Sequence, residues 1–93
     1  MYYNVTLCGY NERETREFFT IGTLVLYATI DYATEFADSV ARQMEPISWV
    51  LVRAHDCDGM SIDIVSEHGV TVTSYEFGPY NPLVVYHGDE CHE

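Results

Sequence analysis

The residue types best suited to chemistry fall in two short clusters. His55-Asp56-Cys57-Asp58 and the group His87, Cys91 and His92 bring together imidazole, thiol and carboxylate, the donors a zinc site draws on. Neither cluster has the paired-cysteine or paired-histidine spacing that lets a turn place two ligands on one ion. Asp56 and Asp58 do not make a calcium loop, which needs about twelve residues and a distal glutamate. Nucleophilic chemistry has no better footing. The chain contains no G-x-S-x-G, no P-loop, no H-E-x-x-H and no G-x-G-x-x-G. A Cys57–His87 pair would rest on a fold contact and not on any spacing. The sequence therefore predicts a protein that is not an enzyme and has no metal or cofactor. The three cysteines, Cys8, Cys57 and Cys91, are too few and too odd for a disulfide framework, so a reducing compartment is expected. Cys8 falls in an apolar strand pattern; Cys57 and Cys91 sit in polar stretches and read as free thiols.

The stronger signal is charge. Fifteen acids stand against four bases, all of them arginine, for a net charge of -11. That balance excludes phosphate-directed nucleic-acid binding and docking on anionic membranes. Asp31, Glu35 and Asp38 recur at helical spacing and form one stripe about 10 Å long. Arg42, four residues beyond Asp38, offsets only its end. The turns add Asp56, Asp58, Asp63 and Glu67, and the tail adds Asp89, Glu90 and Glu93. A solvated surface explains a modest negative charge; it explains -11 without lysine less well, because self-repulsion lowers stability with no structural return. Eight tyrosines, several on polar faces and loops, supply contact area with a polar tip. The candidate partner-binding set is Asp31, Tyr32, Glu35, Asp38, Asp56, Asp58, Asp63 and Glu67. Its natural complement is a basic protein surface, since a carboxylate takes the place of a phosphate in an arginine fork.

These residues need a scaffold. Alternation over 2–9, with Tyr3, Val5 and Leu7 on one face, predicts a strand, and 15–21 resumes one, so the two form a hairpin. Leu26, Ile30, Ala33, Ala37, Val40 and Met44 then follow helical spacing. They predict a helix over 23–44, capped by Thr23 and stopped by Pro46, although Thr23-Leu24-Val25-Leu26-Tyr27 equally suits an extension of the preceding strand. Residues 47–54, apolar on both faces, read as a central strand. Strands over 60–66 and 70–77 follow, with Asp58-Gly59 and His68-Gly69 as tight turns. A rigid loop covers 78–82, and 83–86 is a candidate short sixth strand at an edge. The order ββαβββ, with that sixth strand, predicts a two-layer α+β domain: one helix packed on an antiparallel sheet. The expected core includes Trp49, Phe36, Phe19 and Ile62. All 93 residues read as a single domain with a polar, acidic tail over 87–93. At 47% hydrophobic residues the chain is not disordered. Its apolar runs fall well short of the roughly 20 residues that span a bilayer. The start, Met1-Tyr2-Tyr3-Asn4, has no secretory-signal pattern, so a soluble cytoplasmic protein is expected.

In size, charge, absence of lysine and strand-strand-helix opening, the chain resembles the small phage and mobile-element proteins that inhibit bacterial defence systems. The anti-CRISPR proteins are their best-known group. The resemblance spans the whole chain and carries no diagnostic motif, so no functional residue transfers with it. It implies a stoichiometric inhibitor in the cytoplasm of a bacterial host cell. Such a protein occupies the basic, nucleic-acid-binding surface of a CRISPR-Cas complex and touches neither nucleic acid nor membrane. Two other classes stay open: a structural or regulatory phage protein that self-associates through a sheet edge, and a small metal-binding module.

Overall fold

The structure is a computed structural model and describes residues 2–11, 17–78 and 83–87. Five strands form one antiparallel sheet: β1 Tyr3–Asn11, β2 Glu17–Tyr27, β3 Gly59–Ser66, β4 Thr71–Phe77 and β5 Val84–His87. Their spatial order is β2-β1-β3-β4-β5. Helix α1 (Ile30–Met44), a 3-10 turn (Glu45–Ile47) and a short helix α2 (Ser48–Ala54) join β2 to β3. α1 crosses the sheet against β1, β2, β3 and β4. The α+β class, with a helix layered on an antiparallel sheet, is the one the sequence predicts.

Strand β1 is paired on both sides, from Tyr3↔Tyr27 to Asn11↔Glu17 with β2 and from Tyr3↔Ser66 to Tyr10↔Gly59 with β3. Alternation along this ladder puts Val5, Met60, Ile62 and Ile64 beneath the helix, all fully buried. From above come Ala33, Ala37 and Ala41, four residues apart and also fully buried. Their small side chains let the helix backbone lie close to the sheet, while Ile30, Phe36, Val40 and Met44 pack around them. A register shift between Ile64 and Val65 in the β3–β4 ladder lets Val72, Thr73, Tyr75 and Phe77 all be buried.

Several expectations are corrected. Residues 23–27 are not helix: β2 continues through Tyr27, hydrogen-bonded to β1, and the run Ile21, Thr23, Val25 and Tyr27 suits a strand. The helix begins at Ile30, and its N-cap is Thr29 in place of Thr23, with its hydroxyl accepting from the Tyr32 amide at 3.4 Å. Residues 47–54 are not a strand. Pro46 lies second in the 3-10 turn that Glu45 opens, within the first turn where a missing N–H is tolerated, and the chain continues into α2. The neighbouring place beside β1 is taken by β3, and α2 buries only Ser48 and Val52, one turn apart. Trp49 is consequently 44% exposed and is no core residue; Ile62 is fully buried, and Phe36 and Phe19 are partly so. Asp58-Gly59 does not form a hairpin turn; Gly59 opens β3.

The short strand expected near 83–86 forms as β5, at the sheet edge. His87 belongs to it and not to a tail. Residues 12–16, residues 79–82 of the loop expected over 78–82, and the tail residues Asp89, Glu90, Cys91, His92 and Glu93 lie outside the described residues. Among the described residues, no helix is long and apolar enough to cross a membrane.

Candidate functional site

The outer face of α1 carries the acidic stripe. Asp31 and Glu35 are exposed, and Asp31, in the first turn, sits where the helix dipole favours a carboxylate. Asp38 is committed differently: its Oδ2 accepts a hydrogen bond from Arg42 Nε at 3.1 Å. That carboxylate raises the Arg42 pKa further above its ordinary value. Tyr32, 63% exposed, stands between Asp31 and Glu35. The stripe therefore leaves Asp31, Tyr32 and Glu35 exposed, with Asp38 neutralised at its far end.

Beside them the helix and the end of β2 enclose an open notch of ≈ 440 Å³, lined by Tyr27, Tyr32, Glu35, Phe36 and Ser39. The Tyr27 and Phe36 rings meet with centroids 5.7 Å apart and planes tilted by 50°, which fixes one wall. Tyr27, Phe36 and Ser39 were not singled out as contact residues from sequence. Tyr27 joins the notch because β2 runs on to the start of the helix, the extension of the strand through 23–27 that the sequence leaves open beside the helix.

The remaining predicted residues are dispersed. Asp56 is exposed just after α2, at φ 50°, a left-handed conformation that aspartate tolerates better than most side chains. The Asp58 amide donates to the Tyr10 carbonyl at 2.9 Å, tying the start of β3 to β1. Glu67 lies at the other end of β3, in the turn to β4, with an oxygen 3.8 Å from His68 Nε2. Asp63 is on the sheet face opposite the helix and is only 8% exposed, where Ser74 Oγ donates to its Oδ1 at 2.6 Å. The structure thus brings Asp31, Tyr32 and Glu35 together with Asp38, and separates Asp56, Asp58, Asp63 and Glu67 from them.

A second cleft of ≈ 370 Å³ lies on that opposite face, lined by Asp63, Thr71, Ser74 and Glu76. Ser61, between them and Cys8 in the ladder, is fully buried with its Oγ unpartnered among the described residues. The two-residue spacing of Thr6 and Cys8, of Ser61 and Asp63, and of Ser74 and Glu76 marks this polar face in the sequence. Burial raises the Cys8 pKa, with the nearby Asp63 charge adding to it, and burial also raises that of Cys57. Among the described residues no three His, Cys, Asp or Glu side chains converge as metal ligands. His55 and Asp56 are exposed, whereas Cys57 points inward, its Sγ 3.6 Å from the Val52 carbonyl.

No family model matches the chain, and no curated protein and no solved structure is significantly similar to it.

Proposed function

We propose that the protein is a non-enzymatic binding protein that docks its α1 face on a basic protein surface where nucleic acid otherwise lies. It thereby inhibits the complex it occupies, in the manner of the phage-encoded anti-CRISPR proteins it resembles. The observation that supports this most is the α1 face itself: Asp31, Tyr32 and Glu35 are exposed side by side on a rigid, core-packed helix. Paired carboxylates with an aromatic neighbour supply the acceptors and the contact area that an arginine-rich groove engages. The -11 charge draws such a surface in from a distance.

The test is capture of partners from a bacterial lysate, with identification by mass spectrometry. The bait is the wild-type chain, the pair Asp31→Asn/Glu35→Gln, or the equally neutralised Asp56→Asn/Glu67→Gln. The expected partner is a nucleic-acid-binding complex, captured by the wild type and by the Asp56/Glu67 variant. It is lost with the Asp31/Glu35 variant, and its own nucleic acid releases it. Capture unchanged by the Asp31/Glu35 pair, or unaffected by nucleic acid, overturns the reading.

Self-association through a sheet edge is the second reading, favoured by β5, whose four residues are all exposed. It predicts a dimer that persists in high salt, because strand pairing is not a screened interaction. The other edge is less suited to it, since two register shifts interrupt the β1–β2 ladder and twist β2 away from a flat template.

A further inference from the structure

We infer that the notch between α1 and the end of β2 is a receptor for an arginine side chain presented by a basic partner. The inference rests on the proposed basic partner, and it names the group that partner must insert. Three aromatic rings, Tyr27, Tyr32 and Phe36, wall the notch, and Glu35 stands at its rim. Aromatic walls alone would suit any apolar group, and a carboxylate alone would take any cation. Together they select a flat cation that stacks on a ring and forks two hydrogen bonds to one carboxylate. Guanidinium has both properties and is more weakly hydrated than ammonium. At 63% exposure, Tyr32 is accessible to an incoming group, while the tilted Tyr27–Phe36 pair gives a preformed wall.

The chain's own arginines show the two halves of this recognition elsewhere. Arg53 lies over the Trp49 ring with its guanidinium carbon 4.8 Å from the centroid, and Arg42 is bonded to Asp38. Neither of these two is left to fill the notch, and the occupant inferred is an arginine of the basic partner. The surrounding charge selects its sign, with Asp31 one helical turn from Glu35 and a chain at -11.

The test needs no partner protein. An acetylated, amidated tri-arginine peptide and its tri-lysine counterpart are titrated into the isotope-labelled chain, and the amide shifts are followed by NMR. The arginine peptide is expected to move the signals of residues 27, 32, 35 and 36, and to bind about two- to fivefold more tightly than the lysine peptide. Tyr32→Ala and Glu35→Gln each weaken it by about two- to fivefold, and Tyr32→Phe does not. Asp56→Asn, which removes the same charge away from the notch, leaves affinity within about twofold. Circular dichroism checks each fold; Glu35→Gln, an exposed isosteric change, carries the test if Tyr32→Ala unfolds. Shifts that map elsewhere, equal affinity for the two peptides, or equal losses for Asp56→Asn and Glu35→Gln would overturn the inference. Peptide binding at the notch together with unchanged lysate capture by the Asp31/Glu35 variant sinks the proposed function alone. The converse pattern sinks this inference alone.

Discussion

Tyr10 and Gly59 face one another across the β1–β3 ladder, and the ring of Tyr10 fills the space a β-carbon at 59 would need. Gly9 stands in the same relation to Phe19 across the β1–β2 ladder. Gly59→Ala should therefore cost about 1–3 kcal/mol through overpacking, since Tyr10 is only 4% exposed and has nowhere to retreat. Chemical denaturation reads this directly. Asp56 holds a left-handed backbone, so Asp56→Ala should cost about 1 kcal/mol while Asp56→Asn is close to neutral. The buried thiols give a pH signature. Burial pushes both pKa values above the ordinary thiol value of 9.0, so the folded state keeps its protons where the unfolded state has lost them. The stabilisation is complete below pH 9.0 and is lost as pH rises through the higher folded values. Melting temperature should fall above that point, and the fall should be shallower in a Cys8→Ala/Cys57→Ala double variant.

At the scale of elements, α1 and β3 were legible because each has one apolar face and one polar face. The three- and four-residue spacing of Ala33, Ala37 and Val40, and the alternation of Ile62, Asp63 and Ile64, each admit one period. α2 was not legible. Residues 47–54 are apolar all round, and in the structure Ile47, Trp49 and Val50 stay exposed while only Ser48 and Val52 are buried. A segment apolar on every side has no period to read, and what decided it was the occupied place beside β1. Alanine substitution separates the two assignments. Trp49→Ala should cost about 1 kcal/mol or less, whereas a tryptophan in a central strand would cost about 3–5 kcal/mol. Val52→Ala should cost about 2 kcal/mol despite removing far less surface, because Val52 is 3% exposed. The acidic stripe was legible as far as the helix itself extends. The notch was not, since one of its walls arrives from β2, and neither was the seclusion of Asp63 on the far face of the sheet.

For the molecule as a whole, charge sets two opposite salt responses. Fifteen acids on one small domain repel one another, so thermal stability should rise between low and moderate salt as that repulsion is screened. The proposed docking on a basic surface should weaken over the same range, because its attraction is screened too. A protein whose binding and stability rose together with salt would not be using its carboxylates to bind. Differential scanning calorimetry and a binding titration in matched buffers make the comparison. The ion pair of Arg42 with Asp38 contributes little to either response, being exposed and internally neutral.

The seam where β3 meets Tyr10 also bears on chemical ageing. An aspartate followed by glycine is prone to attack by the glycine nitrogen on the aspartate side-chain carbonyl. Water is expelled, a five-membered imide forms, and hydrolysis inserts an extra methylene into the main chain. In the folded protein the Asp58 amide is tied to the Tyr10 carbonyl, and Gly59 is buried in the strand against the Tyr10 ring. The backbone there is not free to curl into the imide. Isoaspartate should accumulate at position 58 far faster in denaturant than in native buffer, as peptide mapping would show. A chain damaged in this way would refold with the β1–β3 register disturbed at its first pair, so the fold protects the bond on which its own pairing depends.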